Sequence, residues 1–441
     1  MANITTDVRD FSLARVWHIH CIGLGGIGVS ALAKKFLLEG KKVSGSDRGP
    51  SAITEALAAS GAVVSYGHDA KNMTADVDVV MYTKAIDAKN PELLEAHKKG
   101  IPTFSYSQML GLVSAGMRTI AVAGSHGKTT TTGMIAWALL QAKKDPTVVV
   151  GSLLSDIPTN FIAGKSNVFV VEACEYQKSF LDLAPSIAVI TNIDDDHLDY
   201  YKTFANIKKA FREFALKVPL TGRVIADMHD PIVRGVLKNI SAKIVDYSTI
   251  QLGVQLKLTG EHNRRDAQAA YATLRELRVP VKDIRAALAS FSGTARRFEY
   301  KGEKYGVAVY DDYAHHPTEI RASLAAARER CGKGKLICVF QPHLYSRTKL
   351  LFKDFVTSFD ACDEVVLLPI YAAREKKDSS ISSRMLFDAL KARGAKKGFS
   401  VAYVSAPQRA ADILAKHAAP GEMAVIMGAG DVTQVSKLFL S

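Results

Sequence analysis

The sequence predicts an α/β protein of three domains, each built on a mostly parallel sheet flanked by helices. Short apolar runs alternate with amphipathic stretches along most of the 441 residues, a pattern typical of parallel strands joined by helices. The chain is also longer than one core supports, because single cores stop growing near roughly 250–300 residues. A glycine followed by paired arginines near Gly293 interrupts the second series of runs and indicates a domain boundary.

The first domain is predicted to cover residues 1–106. Strand-like runs alternate here with helical stretches, in the order VWHIHCI, Gly28 to Glu39, KKVSGSD, Ile53 to Ala59, AVVSY, DVDVVMY and Pro91 to Lys99. The apolar runs are short enough to be strands, and the stretches between them have helical periodicity.

The second domain is predicted to cover residues 107–293 and the third residues 294–441. The second contains the runs RTIAVAG, VFVVEA, IAVITNI, RVIAD and KIVDYS, a long helix from about Lys128, a helix through Phe211 and a helical run from Glu261 to Leu277. The third contains the runs GVAVYDD, KLICVF, EVVLLP, VAYVS and MAVIMGAG, which alternate with helices. Both patterns predict further parallel sheets.

Composition narrows the class of protein. The formal net charge of +13 favours polyanionic partners, but the basic residues are dispersed and no nucleic-acid-binding signature accompanies them, so we expect no nucleic-acid partner. The five cysteines form no CxxC pair, which favours a reducing compartment. The first residues lack a leader pattern, and no apolar run reaches about 18 residues. We therefore expect a cytoplasmic protein without a membrane partner.

A first glycine cluster extends from Gly23 through Gly25 and Gly26 to Gly28, directly between a strand and a helix. Asp47 ends the next strand, which completes a dinucleotide-binding fingerprint. Glycines at this position admit a diphosphate to the N-terminus of the helix. The cluster by itself is compatible with NAD, with a different diphosphate ligand, or with a tight turn that binds nothing.

A second cluster lies at another strand–helix transition and consists of Gly124, Ser125, His126, Gly127, Lys128, Thr129 and Thr130. Backbone N–H groups of such a loop bind phosphate oxygens, a lysine neutralises the transferring phosphoryl group, and a threonine hydroxyl reaches Mg²⁺. Val122 stands where the common P-loop has its leading glycine. A purely structural turn is therefore the alternative.

Acidic residues follow two later strands, Glu172 after one and Asp194 and Asp195 after the other, with His197 close behind. Ligands of open α/β sheets gather at the carboxyl ends of strands, so these residues are candidates for the same phosphate site. Carboxylate oxygens suit Mg²⁺, while imidazole is a less usual ligand. For Asp194 and Asp195 we favour solvated or capping roles.

A third group of polar residues, DDYAHHPTE from Asp311 to Glu319, ends the run GVAVY. Pro317 is well placed at a helix start and His316 can flank it, so part of the group serves helix initiation. The two aspartate carboxylates, the tyrosine phenol and the two imidazoles exceed what capping requires. We therefore predict a binding or catalytic role.

With these motifs in order, the chain resembles the Mur peptide ligases from His18 to Gly430. The motifs that carry the resemblance are GLGGIGVSALA, GSHGKTTTT, VVEACE, TNIDDDHLDYY, GEHNRRDA, GTARRFE and DDYAHHPTEI. The combination of HIHCIGLGGIG, DHLDYY and DDYAHHPTE is most similar to the alanine-adding member. The resemblance implies a Rossmann-like N-terminal domain, a P-loop-like central domain and a Rossmann-like C-terminal domain, which bind UDP-sugar, ATP and amino acid in turn.

The resemblance also implies a role for each matching residue. In the first domain, the glycine cluster would hold the UDP diphosphate, with Asp47 and Thr83 near the nucleotide. In the second, Lys128 would contact the β- and γ-phosphates, Thr129 one Mg²⁺, and Glu172 and His197 a second. Further matches are Asn263 to an adenine contact, Arg297 and Asp312 to residues near the nucleotide, and Tyr313, His315 and Arg347 to positions that hold the amino acid.

The implied activity, part of peptidoglycan and cell-wall synthesis and so of cell shape and division, joins the lactyl carboxylate of UDP-N-acetylmuramate to L-alanine. ATP would first convert the carboxylate to an acyl phosphate, with Lys128, Glu172, His197 and Asp312 as catalytic residues. The amine would then attack, deprotonated by His315 or by a substrate phosphate oxygen. We expect a monomer or a weak homodimer.

Alternatives stay open at this level. Asp266 stands where the family commonly has a second asparagine, and Leu344 where it often has an arginine. One alternative within the family is a recycling ligase that adds a preformed peptide to the same UDP-sugar. Only the amino-acid pocket would distinguish it from the alanine-adding ligase. Some relatives carbamylate a lysine, and Lys208 and Lys209 lie in a suitable stretch. An NAD-dependent oxidoreductase and a non-catalytic nucleotide-binding regulator are the alternatives from other classes.

Overall fold

The computed structural model describes residues 11–157, 159–373, 375–417 and 419–441. These form two compact units. One unit comprises the described residues up to 253 together with 267–288, and the other comprises 254–266 with 289–441. Among the described residues, no helix combines the length and apolar content needed to cross a bilayer.

The first unit begins with a fully parallel sheet whose strand order is β3-β2-β1-β4-β5. Its elements are β1 (His18–Ile22), α1 (Ile27–Leu38), β2 (Lys42–Asp47), α2 (Ala52–Ala59), β3 (Val63–Tyr66), β4 (Val79–Tyr82), α3 (Pro91–Lys98), β5 (Thr103–Ser105) and α4 (Tyr106–Ala115). All five residues of β1 are buried, as expected for a central strand covered on both faces.

Polar side chains at the helix starts fix where several of these helices begin. Ser51 and Ser105 each accept a hydrogen bond from the backbone three residues later and form capping boxes for α2 and α4. Asn90 caps α3 directly before Pro91. Such caps satisfy backbone donors that have no partner within the helix.

The first unit also contains a second sheet, with strand order β12-β11-β10-β6-β9-β7-β8. Its elements are β6 (Arg118–Ala123), α5 (Lys128–Gln141), β7 (Thr147–Val149), β8 (Phe161–Ile162), β9 (Val168–Glu172), β10 (Ile187–Ile190), α6 (Leu198–Tyr201), α7 (Phe204–Leu216), β11 (Arg223–Ala226), α8 (Pro231–Val236) and β12 (Lys243–Asp246). Two helices follow, α9 (Glu261–Glu276) and α10 (Val281–Ser290). Only β8 among the described strands of this sheet is antiparallel, at one edge.

The second unit contains a third sheet, with strand order β13-β14-β18-β15-β16-β17. Its elements are β13 (Glu299–Lys304), β14 (Val307–Asp312), α11 (Pro317–Cys331), β15 (Leu336–Phe340), α12 (Tyr345–Leu350), α13 (Phe352–Val356), β16 (Glu364–Leu367), α14 (Ser383–Lys397), β17 (Ser400–Tyr403), α15 (Pro407–His417), β18 (Glu422–Met427) and α16 (Gln434–Leu440). The edge strand β13 is antiparallel to β14 and has a register shift between Tyr300 and Gly302.

The predicted fold class is confirmed, because three sheets form and each is mostly parallel. The two antiparallel edge strands, β8 and β13, are additions that the sequence patterns do not predict. In each sheet the parallel strands end at the same edge. The predicted glycine loops and acidic residues follow those strand ends, where open α/β sheets bind their ligands.

Candidate functional site

The predicted phosphate loop connects β6, a central strand, to α5. Gly124 has φ of 146°, and a Cβ there would lie 1.9 Å from the Thr191 hydroxyl oxygen. Gly127 has φ of 81° at the N-terminus of α5. Both glycines are therefore required by the backbone path itself, and Thr130 is buried in the first turn of the helix.

The segment after β10 holds this loop in place. The amide of His126 donates to Asn192 Oδ1 at 2.9 Å, and Thr191 Oγ1 donates to the His126 carbonyl. His126 Nε2 lies 2.9 Å from Asp194 Oδ2, and the Asp194 amide donates to Ser125 Oγ. The expectation that Asp194 is merely solvated or capping was wrong, since it fixes two residues of the loop.

Lys128 has its ammonium turned toward the loop. Nζ donates to the carbonyls of Gly124 (2.5 Å) and Ser125 (3.1 Å) and to Glu175 Oε1 (2.9 Å). Burial by itself lowers the pKa of Lys128, but nearby negative charges, chiefly Glu175, outweigh burial and raise the pKa above its usual range. The lysine therefore stays positively charged at the predicted phosphate site.

Thr129 and Glu172 bring hard oxygen donors together beside this lysine. Thr129 Oγ1 donates to Glu172 Oε2 at 3.0 Å, and the Gly151 amide donates to the same oxygen at 2.9 Å. A hydroxyl and a carboxylate in contact are oxygen ligands of the kind that Mg²⁺ prefers. The residues present therefore fit a magnesium ion.

His197 lies close to the same group of charges. Its backbone is left-handed, with φ of 57°, and its ring packs on Tyr176 with a centroid distance of 4.8 Å. Nε2 is 3.7 Å from Glu175 Oε1 and 3.7 Å from Asp196 Oδ2. A left-handed conformation is costly for a residue other than glycine, and strained residues tend to cluster at functional sites.

The first glycine cluster forms a tight turn between β1 and α1. Gly23 has φ of 80°, and its amide donates to the Ser46 carbonyl at 2.9 Å. The Gly25 amide donates to Asp47 Oδ2 at 2.7 Å. A Cβ on Gly23 would lie 2.5 Å from the Thr83 methyl. Asp47 and Thr83 thus both contact the turn, and Gly26 lies at the start of the helix.

In the second unit, Asp312 ends β14 with its carboxylate buried. Ser323 Oγ donates to Oδ2 at 2.8 Å, and the Ala314 amide donates to Oδ1 at 2.8 Å. Burial raises the pKa of Asp312 to about 6, although Arg297 lowers it. The neighbouring His316 caps α11 through its ring, which confirms the helix-initiation role predicted for part of this motif.

Tyr313 and His315 begin a row of rings in the second unit. The guanidinium carbons of Arg296 and Arg297 lie 5.0 and 5.3 Å from the Tyr313 ring centroid. His315 lies 5.3 Å from Tyr313 and 5.7 Å from His343. His343 in turn stacks on Tyr371 at 5.8 Å. Sequence reasoning did not select Tyr371 for this row.

Arg347 lies in α12 beside that row, with one guanidinium nitrogen 3.4 Å from His343 Nδ1. Leu344, directly before the helix, has φ of 69° and ψ of 135°, which only glycine adopts readily. Asn263 is buried at the start of α9 and donates from Nδ2 to the Thr259 carbonyl at 2.7 Å. Asp266 is also buried.

The structure groups the predicted residues by unit. Lys128, Thr129, Glu172 and His197 lie in the first unit, whereas Asn263, Arg297, Asp312, Tyr313, His315 and Arg347 lie in the second. Sequence reasoning missed Glu175, which is the shared partner of Lys128 and His197. Its place in VVEACE, three residues after Glu172 at a strand end, was the available signal.

Three family descriptions match successive parts of the chain. "Mur ligase family, catalytic domain" matches residues 18–118, "Mur ligase middle domain" matches 122–252, and "Mur ligase, glutamate ligase domain" matches 296–430. The matches account for most of the chain and include all three sheets.

Individual proteins match over nearly the same extent. The UDP-N-acetylmuramate–L-alanine ligase of Clostridium perfringens is 40% identical, with 96% of this chain and 97% of the relative covered. The enzyme of the same name from Clostridium kluyveri is 41% identical, with coverages of 96% and 98%. A crystal structure of UDP-N-acetylmuramate-alanine ligase from Thermotoga maritima superposes with a TM-score of 0.77 at 27% identity, covering 96% of this chain and 98% of that one.

Proposed function

Since this chain belongs to the Mur ligase family, we propose that it joins L-alanine to the lactyl carboxylate of UDP-N-acetylmuramate in peptidoglycan precursor synthesis, using ATP. The observation that carries the proposal is coverage: relatives with that name match 96% of the chain. The likeness therefore extends beyond the phosphate loop to the glycine turn at Gly23 and to the motif at Asp312.

The chemical problem is that a carboxylate is a poor electrophile and must be phosphorylated before an amine can attack it. Two anions have to meet for that step, so fixed positive charge is the main contribution a protein can make. Lys128 supplies such a charge, and the loop amides supply donors for phosphate oxygens. Thr129, Glu172 and His197 would hold Mg²⁺, which when bound supplies further neutralisation of phosphate charge.

The attacking amine of alanine has to lose a proton. His315 Nδ1 lies 2.9 Å from the Tyr313 carbonyl oxygen and 3.2 Å from Glu319 Oε2. Both neighbours are acceptors, so Nδ1 carries the hydrogen in the neutral ring and the lone pair lies on Nε2. In this tautomer Nε2 of His315 is able to accept the proton as the general base.

The glycine turn is proposed to hold the UDP diphosphate. Asp47 accepts hydrogen bonds from the Gly25 and Arg48 amides, both at 2.7 Å. The carboxylate that a dehydrogenase would use for the ribose of NAD is thus engaged by the turn.

The further expectations stay proposals: two Mg²⁺ ions, the boundaries at 106/107 and 293/294, a cytoplasmic location, no nucleic-acid or membrane partner, and a monomer or weak homodimer.

Phosphate release measured with ATP, UDP-N-acetylmuramate and a panel of amino acids tests the proposed reaction. We expect release that depends on L-alanine and on the UDP-sugar together. Release with a preformed peptide but not with alanine would favour the recycling ligase instead. Calorimetric titration adds a separate criterion, since binding of NAD without binding of the UDP-sugar would favour an NAD-dependent oxidoreductase over the ligase.

A further inference from the structure

The ammonium of Lys128 has no donor left for a phosphate. A lysine ammonium has three N–H donors, and here they meet three acceptors, the carbonyls of Gly124 and Ser125 and the carboxylate of Glu175. A phosphate oxygen can bind this ammonium only if one of those hydrogen bonds is released. Binding of a nucleotide is thus an exchange of partners.

Glu175 is the charged member of the three acceptors, and its backbone is firmly held. Its carbonyl accepts hydrogen bonds from the Tyr201 hydroxyl at 2.5 Å and from the Lys178 amide at 2.9 Å. The side chain is 3% exposed, and among the described residues its Oε2 is buried without a hydrogen-bond partner. The lysine, with its flexible stem, is therefore the partner that moves.

His197 adds to the same arrangement, because its Nε2 also faces Glu175 Oε1, at 3.7 Å. One carboxylate oxygen is thus placed between the lysine predicted for the phosphates and a histidine predicted for the metal. A buried charge–charge hydrogen bond of this kind is among the stronger interactions in a protein.

We propose that Glu175 is a positioning residue: it holds Lys128 in a resting position in the nucleotide-free protein and competes with the nucleotide phosphates for the ammonium. This inference rests on the proposed function, in that it takes the loop at Gly124 as the ATP site. Its consequence is that the wild-type chain binds ATP more weakly than it would without the charge of the Glu175 carboxylate.

The test is calorimetric titration of the full chain with ATP. Glu175→Gln keeps the shape and one acceptor oxygen but removes the charge, so ATP should bind about tenfold more tightly, while AMP affinity should not change. Glu213→Gln is the matched control, because Glu213 also pairs with a lysine, Lys178, at 3.2 Å in the same unit. The control should leave both affinities unchanged.

The Glu175→Gln substitution made in a Lys128→Met variant distinguishes two explanations for a gain in ATP affinity: release of Lys128, and loss of repulsion between Glu175 and phosphate. In Lys128→Met the Glu175→Gln change should bring no gain in ATP affinity, whereas repulsion alone predicts an equal or larger gain, which would overturn the inference. Unchanged or weaker ATP binding by folded Glu175→Gln would overturn it as well. If that variant does not fold, Glu175→Asp, which lengthens the contact, should show a smaller gain. Failure of the wild-type chain to bind ATP would instead overturn the proposed function.

Discussion

Removal of the Lys128 side chain should have two separate effects, because its ion-pair partner Glu175 is buried. We expect Lys128→Ala to lower ligase turnover at least about 10³-fold, because a main charge stabiliser is lost. It should also lower the free energy of unfolding by about 3–5 kcal/mol, since Glu175 stays buried without its counter-charge. Phosphate release and denaturant unfolding measure the two effects.

The double variant Lys128→Ala/Glu175→Gln serves as the control for that prediction. It should recover much of the lost stability, because no unpaired charge remains, and none of the activity. Near-normal turnover by folded Lys128→Ala would contradict the assignment of ATP to this loop.

Asp312 should make the stability of the second unit depend on pH. Its pKa is raised from 3.8 to about 6, so between these values the unfolded chain loses a proton that the folded chain keeps. Stability from this group is therefore present below about pH 4 and is lost as the pH rises through about 6, by up to about 3 kcal/mol. Hydrogen exchange of the β14 amides should show Asp312→Asn gaining stability over wild type from pH 4 to 7. A pH-independent difference would contradict the raised pKa.

Single residues were predictable from the sequence where their own chemistry defines the role, as for Gly124 and Lys128. The partners were not, because they come from distant segments: Asp194 reaches His126 across 68 residues and Glu175 reaches Lys128 across 47. Sequence periodicity contains no information on such side-chain contacts. The roles assigned to Asn263, Arg297 and Arg347 are still predictions.

Two helices of the first unit approach each other through a glycine. Gly28 is in the first turn of α1, and a Cβ there would lie 2.6 Å from the Tyr106 ring carbon Cζ at the start of α4. Gly28→Ala should therefore lower the free energy of unfolding by about 1–3 kcal/mol through overpacking. It should also weaken UDP-sugar binding in calorimetry, because the turn begins that helix.

Gly116→Ala is the matched control, since Gly116 caps the other end of α4 and a Cβ there meets no atom within 4 Å. Its stability and UDP-sugar affinity should remain close to wild type. An equal loss in both variants would show that the close approach to Tyr106 is not the cause.

Elements with strong apolar runs were predicted within one or two residues, such as α1 and β6. Two of the strands that were missed, β8 and β13, have weak local signals. β8 has only two residues, and β13 is polar along its length and contains a bulge. Both are defined by pairing with a neighbouring strand, and pairing depends on tertiary context more than on local propensity.

At the scale of the whole molecule, the proposed phosphate loop lies in the first compact unit and the residues proposed to hold alanine lie in the second. Arg347→Lys keeps the charge but loses the planar fork that binds a carboxylate, so the KM for L-alanine should rise about tenfold, roughly 1.4 kcal/mol. The KM for ATP should hardly change. Steady-state kinetics provide the measurement, and an unchanged alanine KM would place the carboxylate elsewhere.

Leu344→Arg is the companion variant, because it restores the residue common in relatives. The backbone at this position already has φ of 69°, so arginine adds no conformational strain beyond that of leucine. Alanine binding should be equal or improved.

The three-sheet organisation that frames these sites was predictable, because it follows from repeated strand–helix alternation, whereas the division into two compact units was not.

The edge strand β13 has a consequence for behaviour at high protein concentration. An open sheet edge is a template on which a strand of another copy can add, and repeated addition produces fibrous aggregates. Here the edge has a bulge, and its charged residues include Lys301 paired with Glu299 at 3.0 Å. A strand added at this edge would meet charged side chains and an irregular row of backbone donors. β13 thus disfavours strand addition at its own edge of the third sheet.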